Sequence, residues 1–229
     1  MKKITIPNEL AYLISIIAMS FAVAMVSAAD LGLSMIVAPA YILSQALGVV
    51  TFGQSEYIVQ ALLLVVFCIL VRRVRLTYLV SFATCLIYGA FLDLWRQIIP
   101  LFNPAITPPG SMGWPLRIAL FTVGSLITAF SVALSFRPYL YAQMYDFFVK
   151  GVSAYRKVDR TRIKMIFDFS FLALALIMTL VLFGKFVGIG VATVILALVN
   201  GPVIGLFDRL LGKYVVFPSL FPKWERYFD

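Results

Sequence analysis

The chain has 229 residues, 62% hydrophobic and 13% charged, with a mean hydropathy of +1.01 and a formal charge of +9. A soluble domain is nearer half apolar and a quarter charged, so these few polar residues cannot clothe a water-facing surface. The apolar runs are continuous, not alternating, which argues against a β-barrel and for an all-α, polytopic membrane helix bundle.

In chain order, hydropathy marks six long segments, at about 10–29, 54–71, 76–95, 116–136, 165–183 and 186–207. Leu10–Ala29, preceded by Lys2 and Lys3 and followed by Asp30, has the outline of a secretory signal. Its 20 residues are enough to span the membrane, and it has an echo later in the chain, so it is expected to be retained as a first helix. Two further segments are short and odd: 33–48, which carries Pro39 in what looks like a helix interior, and 139–155, which carries Asp146 and Lys150 at i,i+4. Neither suits a lone span through ~30 Å of hydrocarbon. They are expected to be re-entrant or interfacial helices.

Basic residues set the orientation, because Lys and Arg collect in cytoplasmic loops. Six crossings with the N-terminus inside place 16 of the 19 inside, leaving Arg96, Arg117 and Lys185 outside. Eight crossings would put the cluster VRRVR (71–75) on the wrong side. Six therefore fit better, with both termini cytoplasmic in a bacterial inner membrane. The stretch 98–115 is rich in proline and uncharged, and reads as a stiff outer linker. Trp114 suits a membrane interface. The basic run 156–164 reads as a topology anchor against anionic lipid, and residues 210–229 as a cytoplasmic tail.

The chain repeats itself. Phe21/Phe130, Val23/Val132, Ala24/Ala133, Leu31/Leu140 and Ser44/Ser153 all stand 109 positions apart, and Gly89/Gly201, Leu94/Leu206 and Trp95/Phe207 stand 112 apart. Residues 10–97 and 116–209 are then two halves of one membrane domain, each with three crossings and one short element. An odd number of crossings repeated in tandem enters the bilayer from opposite sides. The expected fold is a 3+3 inverted repeat, a recurrent plan among secondary transporters.

The stretches MIFDFSFLALALIMTLVLFGKFVGIGVATVILALVNGPVIGLF (165–207), LGLSMIVAPAYILS (31–44) and the Phe52-Gly53-Gln54 of TFGQ resemble the YczE-like and YitT-like bacterial inner-membrane proteins. The resemblance covers most of the chain and is most specific at 165–207. It implies a polytopic protein of the cytoplasmic membrane and no general biochemical activity. Met35 stands where the first loop of that family tends to carry a proline.

Chemistry is restricted. With no histidine, the commonest general base, metal ligand and proton relay are missing together. No nucleotide-binding or nucleophile motif appears, and Cys68 and Cys85 sit in apolar runs as packing residues. The reading is therefore of no enzyme, no cofactor and no metal site. No groove of interleaved aromatic and basic residues is visible, so nucleic acid is not an expected partner.

An ionisable group at the bilayer centre costs about 2.5–3.5 kcal/mol or more, so each one invites a functional reading. Asp30 closes the first helix, and Ser34 is placed to cap the first short element, whose N-terminal end would favour an anionic group. Glu56 and Gln60 share one helix face, and Asp168 occupies the corresponding helix of the other half, a sensible arrangement for a cation, a proton or an amine. Asp168 also has Lys164 four residues earlier as a local partner. Asn200, ahead of Gly201 and Pro202, adds a polar side chain at depth. The glycines at 184, 188, 190, 201 and 205 are read as sites of close helix packing.

Asp30, Ser34, Glu56, Gln60, Asp168 and Asn200 thus form the candidate binding set, in a small transporter of an unknown small molecule or ion. The alternative is a membrane binding or accessory subunit that works with a partner protein, and association with a second copy stays open as well.

Overall fold

The computed structural model describes residues 4–74, 77–140 and 143–220. Lys2, Lys3, Arg75, Lys223 and Arg226, part of the charge pattern, lie outside the described residues, as does most of the C-terminal tail. The described helices are α1 (Asn8–Ala29), α2 (Ala38–Leu47), α3 (Phe52–Val71), α4 (Thr77–Ile98), α5 (Trp114–Ser135), α6 (Met144–Arg156), α7 (Arg160–Phe183) and α8 (Val191–Tyr214). Six of them are long and apolar enough to cross a bilayer. The exceptions are α2 and α6, with 10 and 13 residues. At 1.5 Å per residue they reach about 15 and 20 Å, short of the ~30 Å hydrocarbon layer. The protein is an integral, multi-pass helical membrane protein.

Contacts at the helix ends show which ends lie together. The end of α1 meets the start of α5, where Arg117 Nε donates to the Ala29 carbonyl at 2.8 Å. The same end meets the α7–α8 loop, through Leu33 N–H to Gly188 O at 2.9 Å and Ala192 N–H to Leu31 O at 3.1 Å. The start of α1 meets the far end of α5, where the Tyr139 hydroxyl donates to Glu9 at 2.9 Å. Two short strands, β1 (Ile4–Thr5) and β2 (Val215–Val216), pair in parallel and bring the first and last described segments together. The end of α1, the start of α5 and the α7–α8 loop thus lie together at one end of the bundle, and the start of α1, the far end of α5 and the end of α8 at the other.

Local sequence explains the element boundaries. Pro39 falls in the first turn of α2, not in its interior. That corrects the sequence reading: a first-turn proline lacks an N–H that would be unpaired anyway, so it starts the helix instead of breaking it. The N-cap of α2 is Val37, with no side-chain cap. Ser34 contributes its carbonyl, which accepts from Val37 and Ala38 N–H, so the expected hydroxyl cap is not formed. Thr51 and Gln54 form a capping box at the start of α3. Asp93, on α4, accepts from Thr51 Oγ1 at 2.5 Å and from Gly53 N–H at 2.8 Å.

The two short helices end alike. Gly48 closes α2 at φ 65° with its N–H on the Ser44 carbonyl, and Lys157 closes α6 at φ 54° with its N–H on the Ser153 carbonyl.

At the centre α1 packs along α5. The seam is lined by small residues, with Ala11, Ala22, Ala24, Ala129 and Ala133 all buried. A methyl group on Gly124 would lie 2.7 Å from Val26 Cγ2. Gly190 is equally confined, because its Cβ would meet the Leu31 carbonyl at 2.4 Å, and Gly188 meets Tyr41. Gly184, Gly201 and Gly205 have nothing within 4 Å, so for these three the packing expectation is corrected.

Around the α1–α5 seam, α1 packs on α4 and α5 on α8. The short helices sit between the halves, α2 against α3 and α7, α6 against α7 and α3. Phe67 of α3 and Phe147 and Phe148 of α6 stack at 5.1 and 5.9 Å and hold α6 in place.

Candidate functional site

Both short helices begin at the same place. The lead-in to α2 (Ser34–Val37) and the first turn of α6 (Tyr145, Asp146) border a cavity of about 320 Å³. Its remaining walls come from α1, α4, α5, α7 and α8, so each half contributes. Among the six sequence candidates, Ser34, Asp168 and Asn200 lie on this cavity. Asp168 is bound by Lys164 Nζ at 2.9 Å, the local pair foreseen in the sequence.

Glu56 and Gln60 stand one layer behind the wall. Both are fully buried on α3, within its first three turns. The Tyr145 hydroxyl donates to Glu56 Oε2 at 2.8 Å, and Gln60 Nε2 donates to the same oxygen at 3.1 Å. Gln60 Oε1 accepts the Met144 N–H at 3.1 Å, capping α6 from another helix. The pair therefore anchors the start of α6 to α3. Glu56 Oε1 is buried with no hydrogen-bond partner. Glu56 and Asp168 share no hydrogen bond or ion pair among the described residues. Their expected meeting is replaced by two separate placements, one behind Tyr145 and one on the cavity.

Asp30 belongs elsewhere. It ends α1 in a left-handed conformation, φ 50°. Arg117 reaches its carboxylate at 3.3 Å and also donates to the Ala29 and Asp30 carbonyls, three acceptors at the C-terminal end of α1. Burial raises the Asp30 carboxyl above its ordinary range, and the Arg117 charge opposes that shift. Arg137 repeats the arrangement at the other face, donating to the Asp208 carboxylate and carbonyl at 2.5 Å each.

The polar cavity residues outside the sequence-derived set include Tyr88, Gln143, Tyr145 and Asp146. The sequence paired Asp146 with Lys150. The structure leaves Lys150 exposed and turns Asp146 to the cavity, without any hydrogen bond or salt bridge among the described residues. Burial raises the Asp146 carboxyl. Lys164 and Arg160 work against that rise, and Asp168 adds to it. Tyr88 is 1% exposed and its hydroxyl has no partner among the described residues. The side chains of Ser34, Gln143 and Asn200 are equally without partners. Buried polar groups are paired in the great majority of cases. Of these five side chains Tyr88 is buried and the other four are half-buried, and together they bring unpaired polar groups to one cavity. The signal for Tyr88 was absent from the sequence, where it is one aromatic residue in an apolar run. Asp146 was visible, but a false i,i+4 partner hid its role.

A second, larger cleft of about 610 Å³ opens between α3 and α7, lined by residues such as Leu62, Val66, Phe167 and Leu174. It holds no charged side chain and suits lipid tails. No group of three or more acidic or cysteine ligands that could hold a metal occurs among the described residues.

No curated protein and no solved structure matches the chain significantly. A family model does match it over residues 6–209, and it carries no name shared with the YczE-like and YitT-like proteins. The chain belongs to that family, a family of unknown function (DUF6198).

Proposed function

We propose that the protein is a small secondary transporter, not an enzyme, that moves a small polar molecule across a bacterial cytoplasmic membrane with both termini inside. In this reading the two halves form an inverted repeat, and the cavity between them is the substrate site. The supporting observation is that the N-terminal ends of α2 and α6, one from each half, border one cavity that carries several polar side chains on a largely apolar wall. Short helices meeting near the midplane at a repeat interface are how many secondary transporters build their sites.

Further support comes from matched contacts. Phe21 meets Trp95 edge-on at 5.4 Å, and their repeat partners Phe130 and Phe207 meet edge-on at 5.7 Å. Ser44 and Ser153 end their helices in the same way. The swapped packing of α2 on α7 and α6 on α3 fits a two-fold axis in the membrane plane. The resemblance to YczE-like and YitT-like proteins agrees with this membrane location.

Proteoliposomes containing the purified protein would be tested for uptake of labelled small polar solutes, with Asn200→Leu as the comparison. Saturable uptake that Asn200→Leu abolishes supports the proposal. Ligand binding without exchange across the bilayer contradicts it and favours a capture subunit with a separate energising partner.

A further inference from the structure

We infer that the cavity between α2 and α6 takes a small organic cation, with its ammonium group on Asp146 and its polar end within reach of Tyr88. This deepens the transporter reading and rests on the same cavity.

The charges decide the sign. Three ionised side chains line the cavity, Asp146, Lys164 and Asp168. Lys164 and Asp168 pair directly at 2.9 Å, so Asp146 is the cavity carboxylate without a direct ion pair among the described residues, with Lys164 and Arg160 acting on it only at longer range. Behind the wall stands Glu56, with one buried oxygen unpaired. An anion would face both. The start of α6, the usual anion-binding end of a helix, is already met by its own Asp146 and by Gln60 on the Met144 N–H.

The walls decide the class. Tyr88, Phe136 and Tyr145 bring aromatic rings to the cavity, and such rings attract ammonium groups. Tyr88 supplies a second observation that is independent of charge: it is 1% exposed, it lines the cavity, and its hydroxyl is unpaired among the described residues. A divalent metal would require a ligand cluster that the described residues do not form. About 320 Å³ lies at the small end of ligand pockets, which run from about 300 to 1,000 Å³. The fitting ligand is thus a compact primary or substituted amine, protonated at neutral pH.

The test measures binding in detergent solution by thermal protection and equilibrium dialysis, on the full chain. The probes are protonated amines from propylamine to phenethylamine, each matched with the alcohol and the carboxylate of the same skeleton, and Na⁺ alone. At least one amine is expected to bind, with its alcohol and carboxylate about tenfold weaker or worse. Asp146→Asn should weaken the amine about tenfold or more, Asp146→Glu should recover part of that, and Tyr88→Phe should cost a smaller factor.

The inference is overturned if no amine binds, if alcohols or carboxylates bind as well as amines, or if Asp146→Asn binds like the unaltered protein. It is overturned equally if Na⁺ alone gives the Asp146-dependent protection and amines give none. The amine–alcohol contrast needs no variant, so a misfolded Asp146→Asn leaves it decisive. Binding without transport would remove the transporter reading only. Transport of a non-cationic solute, with no amine bound, would remove this inference only.

Discussion

Phe130 meets Phe207 edge-on, with ring centroids 5.7 Å apart and planes at 82°. Phe21 and Trp95, their counterparts by the sequence spacing, meet at 5.4 Å and 83°. Edge-to-face pairs contribute about 0.5–1.5 kcal/mol beyond the area they bury. Double-mutant cycles to alanine, read from thermal unfolding in detergent, should give couplings of about that size for both pairs. Cross-combinations such as Phe21 with Phe207 should be additive.

The α1–α5 seam tolerates no added bulk at Gly124, whose Cβ would crowd Val26 Cγ2 and the Ala22 carbonyl. Gly124→Val should destabilise the protein by about 1–3 kcal/mol, the usual cost of overpacking. Gly205→Ala is the contrast, because nothing lies within 4 Å of its Cβ. Its higher helix propensity, up to about 1 kcal/mol, should leave the melting temperature level or raised. Melting curves of the two variants check both signs.

Arg117 serves the C-terminal end of α1 through two carbonyls as well as the Asp30 carboxylate. Arg117→Ala should cost about 1.5–3 kcal/mol, the range for hydrogen bonds to charged groups. Asp30→Asn should cost clearly less, since both carbonyl contacts persist. If Asp30 instead held the substrate, Asp30→Asn would abolish ligand binding and leave the melting temperature almost unchanged.

The membrane class, the six long helices and the two short ones were legible in the sequence, because each rests on a run of apolar residues interrupted by charge or proline. The proposed repeat rests on the spacing of a few aromatic, serine and glycine residues. The site was legible only in part. Ser34, Asp168 and Asn200 stand out as polar residues in apolar surroundings, and the cavity collects all three. Glu56 and Gln60 looked like ligands by the same logic, yet Tyr145 and the Met144 N–H occupy them. Which buried polar group is satisfied depends on partners roughly 85 residues away, and local patterns do not encode that pairing. Asp146 failed for the same reason: on paper Lys150 is its neighbour, in space Lys164 is.

Asp146 also predicts a pH dependence. Its carboxyl lies above its ordinary value of 3.8 because of burial, with Lys164 and Arg160 opposing and Asp168 reinforcing the rise. Tyr12 and Tyr145 flank it from α1 and α6, and Lys150 on α6 is exposed. The folded state thus holds this proton more tightly than the unfolded chain. By linkage, the group's stabilisation is present at low pH and lost as the pH climbs from about 3.8 through the raised value. Amine binding should run the other way, because only the ionised carboxylate holds an ammonium group. Dialysis of the amine at pH 5 and pH 8 should show tighter binding at pH 8, and Asp146→Asn should flatten the difference.

The central claim is that each half crosses three times and its short helix does not cross. Single cysteines at Val74, Ile106, Pro138 and Val158, placed in a background without Cys68 and Cys85, test it by labelling intact cells with a membrane-impermeant maleimide. Ile106→Cys should react from outside, while the cysteines at 74, 138 and 158 should react only after the membrane is opened. Labelling of Val74→Cys from outside, with Ile106→Cys protected, would mean that the segment at 33–48 goes through, and would contradict the account.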